Sequence, residues 1–365
     1  MPYAPDFRKE FITVDTITHS GAAGNTVNVG FKPSWVHSYQ SASSDGGYYF
    51  GELTGLQLMK PEDDAAPGID SSGLLSFTAN GFTHGTSSKF VKNNYQTMYY
   101  CWKGSGNTGA VNTSGSITAN VSANASIGFS ITKYTGNGTS GATIPHGLGK
   151  KPEVISFVCT SETQTSGMWV VDVPTSNQMK FANTDYIRTR HNSGKAQSAG
   201  VLNQTEPTNS LITLGNSASV NDNGETFVAV AWRSVKGISK AGFYQGTGAG
   251  IHLICPFVYT GFKPSLIWIK NVTTGYSSWR VFSLHYNNNN ESDSKARRMF
   301  NPKGQEVGPN GGTGDGRTEE IYMYSNGFRI GGTGGPTGDS NKSYFYIAFA
   351  HEALVSTNNI PTTGV

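Results

Sequence analysis

Short apolar runs separated by polar turns dominate the chain, and most of them contain β-branched or aromatic residues. Examples are residues 11–15, 26–29, 153–158, 168–171 and 279–282. Turn signals recur about every ten residues, a spacing typical of antiparallel sandwiches. Only residues 294–300 have a composition suited to one or two helical turns. The pattern therefore predicts an all-β fold of tandem β-sandwich-like modules with antiparallel sheets and little helix.

One five-residue word, Gly-Phe-Lys-Pro-Ser, occurs twice, and a looser copy lies between the two occurrences. Each copy is followed by a run with strand character. A proline just before a strand costs no ladder hydrogen bond, so these words are predicted to be turns that enter buried strands. The residues that define the three copies are Gly30, Phe31 and Pro33, then Pro152, then Gly261, Phe262 and Pro264.

Two further landmarks follow in the same order after each copy. Residues 80–82 and 326–328 share the word Asn-Gly-Phe, and residues 214–216 are interpreted as its weaker middle copy. Each unit then closes with an aromatic-rich strand that ends at Trp102, Trp232 or Phe349. Three landmarks in one order predict three copies of one module, with these closing residues at equivalent buried positions.

The landmarks divide the chain into four segments. Module one covers residues 1–104, a Gly/Ser/Asn-rich linker or hairpin covers 105–127, module two covers 128–236, and module three with a polar tail covers 237–365. Within the closing run of module two, strand alternation predicts that residues 228, 230 and 232 face one side and 227, 229 and 231 the other.

Charge and composition narrow the possible functions. The net charge is +3, with 27 Lys and Arg against 24 Asp and Glu, which is too balanced for a surface built to release counterions from nucleic acid. No apolar run approaches the roughly 20 residues that span a bilayer. We therefore expect neither nucleic-acid binding nor membrane insertion.

The chain also lacks the common signatures of catalysis and metal binding. There is no nucleophile elbow, P-loop or zinc-protease motif, the histidines form no i, i+4 pair, and the cysteines show no C-x-x-C spacing. His37 lies in a strand whose counterparts carry Phe157 and Ile269, which favours a structural role for it. We predict a non-enzymatic protein with no catalytic residue, no metal site and no cofactor.

The remaining candidate sites are surfaces that could contact a partner. Long polar loops at 287–293 and 307–317 offer hydrogen-bonding groups, and aromatic clusters at 48–50, 95, 99–100 and 322–324 could stack on sugar rings. Cross-strand packing is the favoured role for these aromatic residues, and the loops could equally bind protein. The candidate contact residues in the loops are Asn287, Asn288, Asn289, Asn290, Asn310 and Asp315.

Several of these words resemble modules of structural proteins from marine and cyanobacterial tailed phages. They are the G-F-K-P-S turn, I-P-H-G-L-G-K-K-P-E-V-I at 144–155, Y-T-G-N-G at 134–138, and the closing segment 325–350. The likeness is strongest over residues 128–354. It implies a non-enzymatic virion protein of the tail-fibre, spike or appendage type that mediates host-surface contact or virion assembly.

Two alternatives stay open, a capsid decoration protein and, less favoured, a carbohydrate-active enzyme such as a capsule depolymerase. The implied partners are other virion proteins and a host-surface glycan or receptor. We expect a homo-oligomer, with a trimer favoured, that is synthesised in the host cytoplasm and located in the virion.

Overall fold

The structure is a computed structural model. It describes residues 12–18, 24–40, 48–54, 57–58, 68–69, 72–87, 96–106, 109–161, 168–174, 176–188, 195–248, 255–273, 279–283, 295–296, 299–300, 306–307, 321–330 and 337–350. These residues form antiparallel β-structure almost throughout, with two one-turn helices. The predicted all-β, sandwich-like fold with little helix is therefore confirmed.

The strands fall into three groups along the chain, which we call units one, two and three. Unit one contains β1 (Ile12–Thr18), β2 (Asn25–Asn28), β3 (Trp35–Gln40), β4 (Tyr48–Gly51), β5 (Gln57–Leu58), β6 (Gly68–Ile69), β7 (Leu74–Thr78), β8 (Gly81–His84) and β9 (Gln96–Trp102). Unit two contains β10 (Ala110–Asn112), β11 (Ala119–Asn124), β12 (Phe129–Thr135), β13 (Thr143–Pro145), β14 (Val154–Cys159), β15 (Met168–Val171), β16 (Asp185–Arg188), β17 (Ala196–Gln197), α1 (Ala199–Leu202), β18 (Leu211–Thr213), α2 (Ala218–Asn221) and β19 (Thr226–Trp232). Unit three contains β20 (Ser239–Gln245), β21 (Phe257–Tyr259), β22 (Pro264–Asn271), β23 (Arg280–Ser283), β24 (Lys295–Ala296), β25 (Met299–Phe300), β26 (Glu306–Val307), β27 (Ile321–Tyr324), β28 (Gly327–Ile330) and β29 (Ser343–Ala350).

The three units share one strand order in their larger sheet, which we call the inner sheet. The closing strand always lies between the opening strand and the strand after the proline turn, giving β1-β9-β3-β4, β12-β19-β14-β15 and β20-β29-β22-β23. The closing residues also share a register. Their partners on the two neighbouring strands are Ile12 and Trp35 for Trp102, Phe129 and Val154 for Trp232, and Ser239 and Leu266 for Phe349.

A second, smaller sheet covers each inner sheet and explains why the repeated words occur together. The outer sheets are β2-β8-β7, β13-β18 and β21-β28-β27-β24. In unit one, the amides of Val29 and Gly30 both donate to the carbonyl of Asn80, at 2.8 and 3.0 Å. In unit three, the amides of residues 260 and 261 donate to the carbonyl of residue 326 in the same way. Gly30 and Gly261 both have a φ of +85°, a conformation that glycine adopts without steric cost.

Unit two forms the same contact with different residues. Ile144 faces Ile212 in the β13–β18 pair, and the amide of His146 donates to the carbonyl of Ser210 at 3.1 Å. The counterpart of Asn-Gly-Phe is therefore residues 210–212, and the assignment to 214–216 was wrong. The assignment was based on the glycine at position 215. The contact is made by backbone atoms, however, and unit two forms it without a glycine on β18.

The glycine of the Asn-Gly-Phe word leaves room for the neighbouring strand. A β-carbon at Gly81 would overlap the carbonyl oxygen of Val27 on β2. We expect Gly81→Ala to lower the free energy of unfolding by about 1–3 kcal/mol, the usual range for overpacking. Leu75→Ala, an exposed change on the adjacent strand, should stay within about 0.5 kcal/mol. Urea denaturation measures both, and equal effects would contradict the close approach.

The inner sheets are buried on both faces because they also pack on one another. Along β9, Tyr99 and Cys101 face the outer sheet of unit one, whereas Tyr100 and Trp102 face residues of the other two units. We call this common cluster the shared core. It contains all six tryptophans of the chain, Trp35, Trp102, Trp169, Trp232, Trp268 and Trp279. The three units are thus sandwiches built around one core that belongs to all of them.

The structure refines the expectation for one segment and corrects the expectation for another. The stretch 105–127, interpreted as a linker or a hairpin, contains β10 and β11, and β11 extends the unit-two sheet beyond β12. The segment 294–300 contains the strands β24 and β25 in its described part, so the expected helical turns were wrong there. Pairing with β27 and β23 outweighs the weak helical preference of so short a segment.

Candidate functional site

A cleft of about 560 Å³ opens along the edge of unit three, between its two sheets. One side is formed by β20 and the other by β21, which are the edge strands of the inner and outer sheets among the described strands. The end of the cleft is formed by unit two, through residues such as Glu153 and Pro174, and by the connection between the units. In unit two, by contrast, β11 covers the equivalent edge strand β12.

Three exposed aromatic side chains, which we call the ring platform, lie on the outer sheet beside this cleft. Phe257, Tyr259 and Tyr324 are 42%, 60% and 39% exposed, although aromatic side chains of the fold are mostly buried. The rings of Phe257 and Tyr324 have centroids 5.9 Å apart in an edge-to-face arrangement. An exposed aromatic group of this kind commonly marks a contact surface.

Strand register explains why the platform faces solvent. Phe257 and Tyr259 are two residues apart on β21, so they share a face, and Val258 between them is buried in the core of unit three. Gly327 on β28 faces both Tyr259 and Tyr324 on its two neighbouring strands. Because Gly327 has no side chain, the carbonyl oxygen of Val258 and the ring of Phe257 can both approach the position that its β-carbon would occupy, the ring to 2.8 Å.

Lys240 connects the two edge strands at the cleft. Its ammonium Nζ donates to the carbonyl oxygen of Tyr259 at 2.6 Å and lies 5.3 Å from the centroid of the Tyr259 ring. Burial lowers the pKa of Lys240, and the Glu153 carboxylate opposes that shift. The side chain therefore fixes the position of Tyr259 and holds a partly dehydrated cation beside the platform.

Glu153 is held rigidly at the unit-two end of the cleft. Its carboxylate accepts hydrogen bonds from the amide of Ser234, at 2.9 Å, and from the Ser234 hydroxyl. The Ser234 hydroxyl oxygen in turn accepts from the amide of Ala241 at 3.0 Å, which attaches β20 to the connection between units two and three. Charged and hydroxyl groups thus line the wall opposite the rings.

Tyr346 and Gly242 form part of the cleft floor. They face each other in register on β29 and β20, and a β-carbon at Gly242 would lie 2.6 Å from atoms of the Tyr346 ring. Burial raises the pKa of Tyr346 well above its ordinary value, and Glu153 adds to that shift. The phenol therefore stays protonated at neutral pH and can donate a hydrogen bond.

Several residues singled out from the sequence lie elsewhere. Among the repeat residues, Gly30 is exposed and Gly261 is half-buried at their turns, the others are buried, and none of them lines the cleft. Tyr99, Tyr100 and Tyr322 are buried, in agreement with the packing role and not with sugar contact, whereas Tyr324 is on the platform. The rings at 48–50 and 95, and the loop residues Asn287, Asn288, Asn289, Asn290, Asn310 and Asp315, lie outside the residues whose side chains the structure describes.

His37 is fully buried on β3, where burial lowers its pKa well below the ordinary value. Its register partner is Tyr100, which makes Ser156 and Trp268 its counterparts in the other units. The assignment of Phe157 and Ile269 as counterparts was therefore wrong by one residue. The His37 ring lies edge-on to Trp268, with centroids 5.4 Å apart, which is a packing role.

No group of three His, Cys, Asp or Glu within the described ranges is arranged to hold a metal ion. None of the helices in that part of the chain is long and apolar enough to cross a membrane. Sequence reasoning missed Phe257, Tyr259 and Lys240. Their only signal in the sequence was one buried residue between two exposed apolar residues. Any half-buried strand shows the same pattern.

Comparison with known proteins gives a family but no activity. No curated protein and no solved structure matches the chain. One family does match, over residues 8–353, which includes all three units and the cleft. This protein therefore belongs to the family described as a domain of unknown function, DUF7483.

Proposed function

We propose that the protein is a non-enzymatic virion component of the tail-fibre, spike or appendage type, and that it contacts a saccharide of the host surface through the cleft of unit three. The ring platform is the observation that carries the proposal. Tyrosine combines an apolar ring with a polar tip, which suits a partner with both apolar and hydroxylated faces. The resemblance to tailed-phage modules supplies the virion context.

The cleft also has the general properties of a ligand site. It is concave, it is bounded by rings on one side, and the Lys240 ammonium and the Tyr346 hydroxyl line the others. A small number of fixed polar groups beside apolar surface is the usual basis of specific small-ligand recognition. A pyranose ring could stack on Tyr259 while its hydroxyl groups reach these polar groups.

Binding to an oligosaccharide panel tests the proposal. The full chain would be applied to immobilised neutral and acidic hexasaccharides, and binding to at least one is expected. Tyr259→Ala should weaken that binding at least tenfold, equivalent to about 1.4 kcal/mol, because it removes the stacking surface. Leu75→Ala is the control, since Leu75 is also an exposed apolar residue on a strand but lies in unit one.

Two results would overturn this proposal. One is the absence of binding to any oligosaccharide, and the other is an unchanged affinity in Tyr259→Ala. Depolymerisation of a bound oligosaccharide, measured as new reducing or unsaturated ends, would instead favour the carbohydrate-active enzyme.

Capsid decoration is the second candidate, and the shared core favours it. Three units of equivalent topology meet in one core within a single chain, so the chain could imitate a trimer at a threefold position of a particle.

The expectation of a homo-oligomer, with a trimer favoured, stays a prediction. Light scattering after size exclusion distinguishes a 39.0 kDa monomer from a trimer, and cryo-EM of labelled virions distinguishes head from tail.

A further inference from the structure

We infer that the cleft selects an acidic saccharide, one that carries a carboxylate or sulfate on a pyranose ring stacked against Tyr259. This inference rests on the proposed function and names the substrate class of the same site. It is carried by the position of the cationic side chains relative to the rings and by the balance of charge around them.

The first observation is the position of Lys240. Its Nζ lies 5.3 Å from the centroid of the Tyr259 ring, so a sugar stacked on that ring would have its substituents beside the ammonium. An ammonium group has three donors, and the carbonyl of Tyr259 accepts from it. The half-buried ammonium has lost part of its hydration, and a bound anion would compensate for that loss.

The second observation is that, among the residues that the structure describes, the other charges near the platform are also mostly positive. Lys236 is exposed and lines the cleft. Arg329 on β28 faces Phe257 in register, which places it on the platform side of the outer sheet. Glu153 is the acidic residue lining the cleft, and its carboxylate already accepts two hydrogen bonds from Ser234.

Saccharide recognition at the cleft therefore has two parts. The rings supply contact with the apolar face of any pyranose, and this part does not depend on charge. The Lys240 ammonium distinguishes an anionic substituent from a neutral one, because a carboxylate adds the attraction between two opposite charges to the hydrogen bond that a hydroxyl group can also accept. A neutral sugar of the same shape would leave the dehydrated ammonium without that bond.

A matched pair of ligands tests the inference. Hexagalacturonate and its carboxyl-reduced form have the same linkages and differ only at C6, which is a carboxylate in one and an uncharged hydroxymethyl group in the other. We expect the full chain to bind the acidic hexamer at least tenfold more tightly, and we expect 0.5 M salt to weaken only the acidic complex. Acidic hexamers of glucuronate and of a sulfated sugar, each with its uncharged counterpart, extend the test to other stereochemistry.

Variants of Lys240 connect the preference to this residue. Lys240→Met should lower affinity for the acidic hexamer at least tenfold and change affinity for the reduced hexamer less than threefold. Lys240→Arg keeps the cation and should retain the preference. Tyr259→Ala should weaken both complexes. Thermal melting of each variant excludes loss of fold, and Lys236→Gln should lower only the acidic affinity, by a smaller factor.

Each outcome has a defined meaning. Equal affinity for charged and reduced ligands, with both weakened by Tyr259→Ala, would overturn the acidic preference and leave the proposed function standing. An acidic preference that Lys240→Met does not change would also overturn the inference, because the charge would be recognised elsewhere. If no hexamer of any pair binds, the proposed function and the inference both fail.

Discussion

Replacing Trp232 with alanine is expected to lower the free energy of unfolding by about 3–5 kcal/mol, the range for removal of a large core aromatic. Trp232 is 3% exposed and belongs to the shared core. Its ring stacks on Trp169 with centroids 5.4 Å apart and meets Trp102 and Trp268 edge-on. The neighbours come from all three units, so the cavity cannot close by moving one of them.

Denaturant melting followed by tryptophan fluorescence measures this loss and also tests the shared core. Because every tryptophan of the chain lies in that core, the variant should unfold in one transition displaced as a whole. Val111→Ala, on a residue 71% exposed, is the control and should change stability by less than about 0.5 kcal/mol. A second transition that keeps its wild-type midpoint would mean that the units have separate cores.

The second large effect concerns Lys270, a fully buried lysine on β22. Alternation places it on the same face as Trp268, which belongs to the shared core. Burial, together with a smaller contribution from the positive charge of Arg280, lowers the pKa of Lys270 to about 7. The folded state therefore favours the neutral amine, whereas the unfolded chain keeps its proton up to about pH 10.4.

The sign of the pH effect follows from these two values. Above the pKa of the unfolded chain both states are neutral and the lysine carries no penalty. As pH falls toward 7 the unfolded chain gains a proton that the folded chain does not, so stability decreases, and it levels off once both are charged. We expect Lys270→Met to remove this slope and to raise stability at pH 7 by about 2–4 kcal/mol.

Urea titrations from pH 6 to 10 on the wild type and the variant measure this prediction. Lys263→Met is the matched control, because Lys263 precedes the same strand but is exposed, and it should keep the wild-type slope. A Lys270→Met protein that is less stable at pH 7 and keeps the slope would show that the charged form of Lys270 is stabilised in the fold.

The ring platform illustrates how far a candidate site can be predicted from sequence. The aromatic clusters at 99–100 and 322–324 indicated sugar contact equally well, yet Tyr99, Tyr100 and Tyr322 are buried and Tyr324 is exposed. Strand alternation places Tyr322 and Tyr324 on the same face of β27, but it does not determine how far the rest of the fold covers that face along the strand. The platform residues Phe257 and Tyr259 gave no stronger signal than any other half-buried strand.

The sequence by itself determined the class of fold, the number of units and their closing residues, because turns and strands are encoded by local patterns that recur in order. The closing run of unit two also has the predicted alternation, with Val228, Val230 and Trp232 in the shared core and the residues between them in the core of the unit. Continuous apolar runs predict burial on both faces. Only the tertiary structure decided what covers each face, since the three inner sheets meet through contacts between residues of different units, such as Trp102 with Trp232 and Trp268. The cleft is also a consequence of tertiary structure. In unit two β11 covers the edge strand β12, whereas no described strand covers the equivalent strand β20 of unit three, and the cleft lies along that uncovered edge.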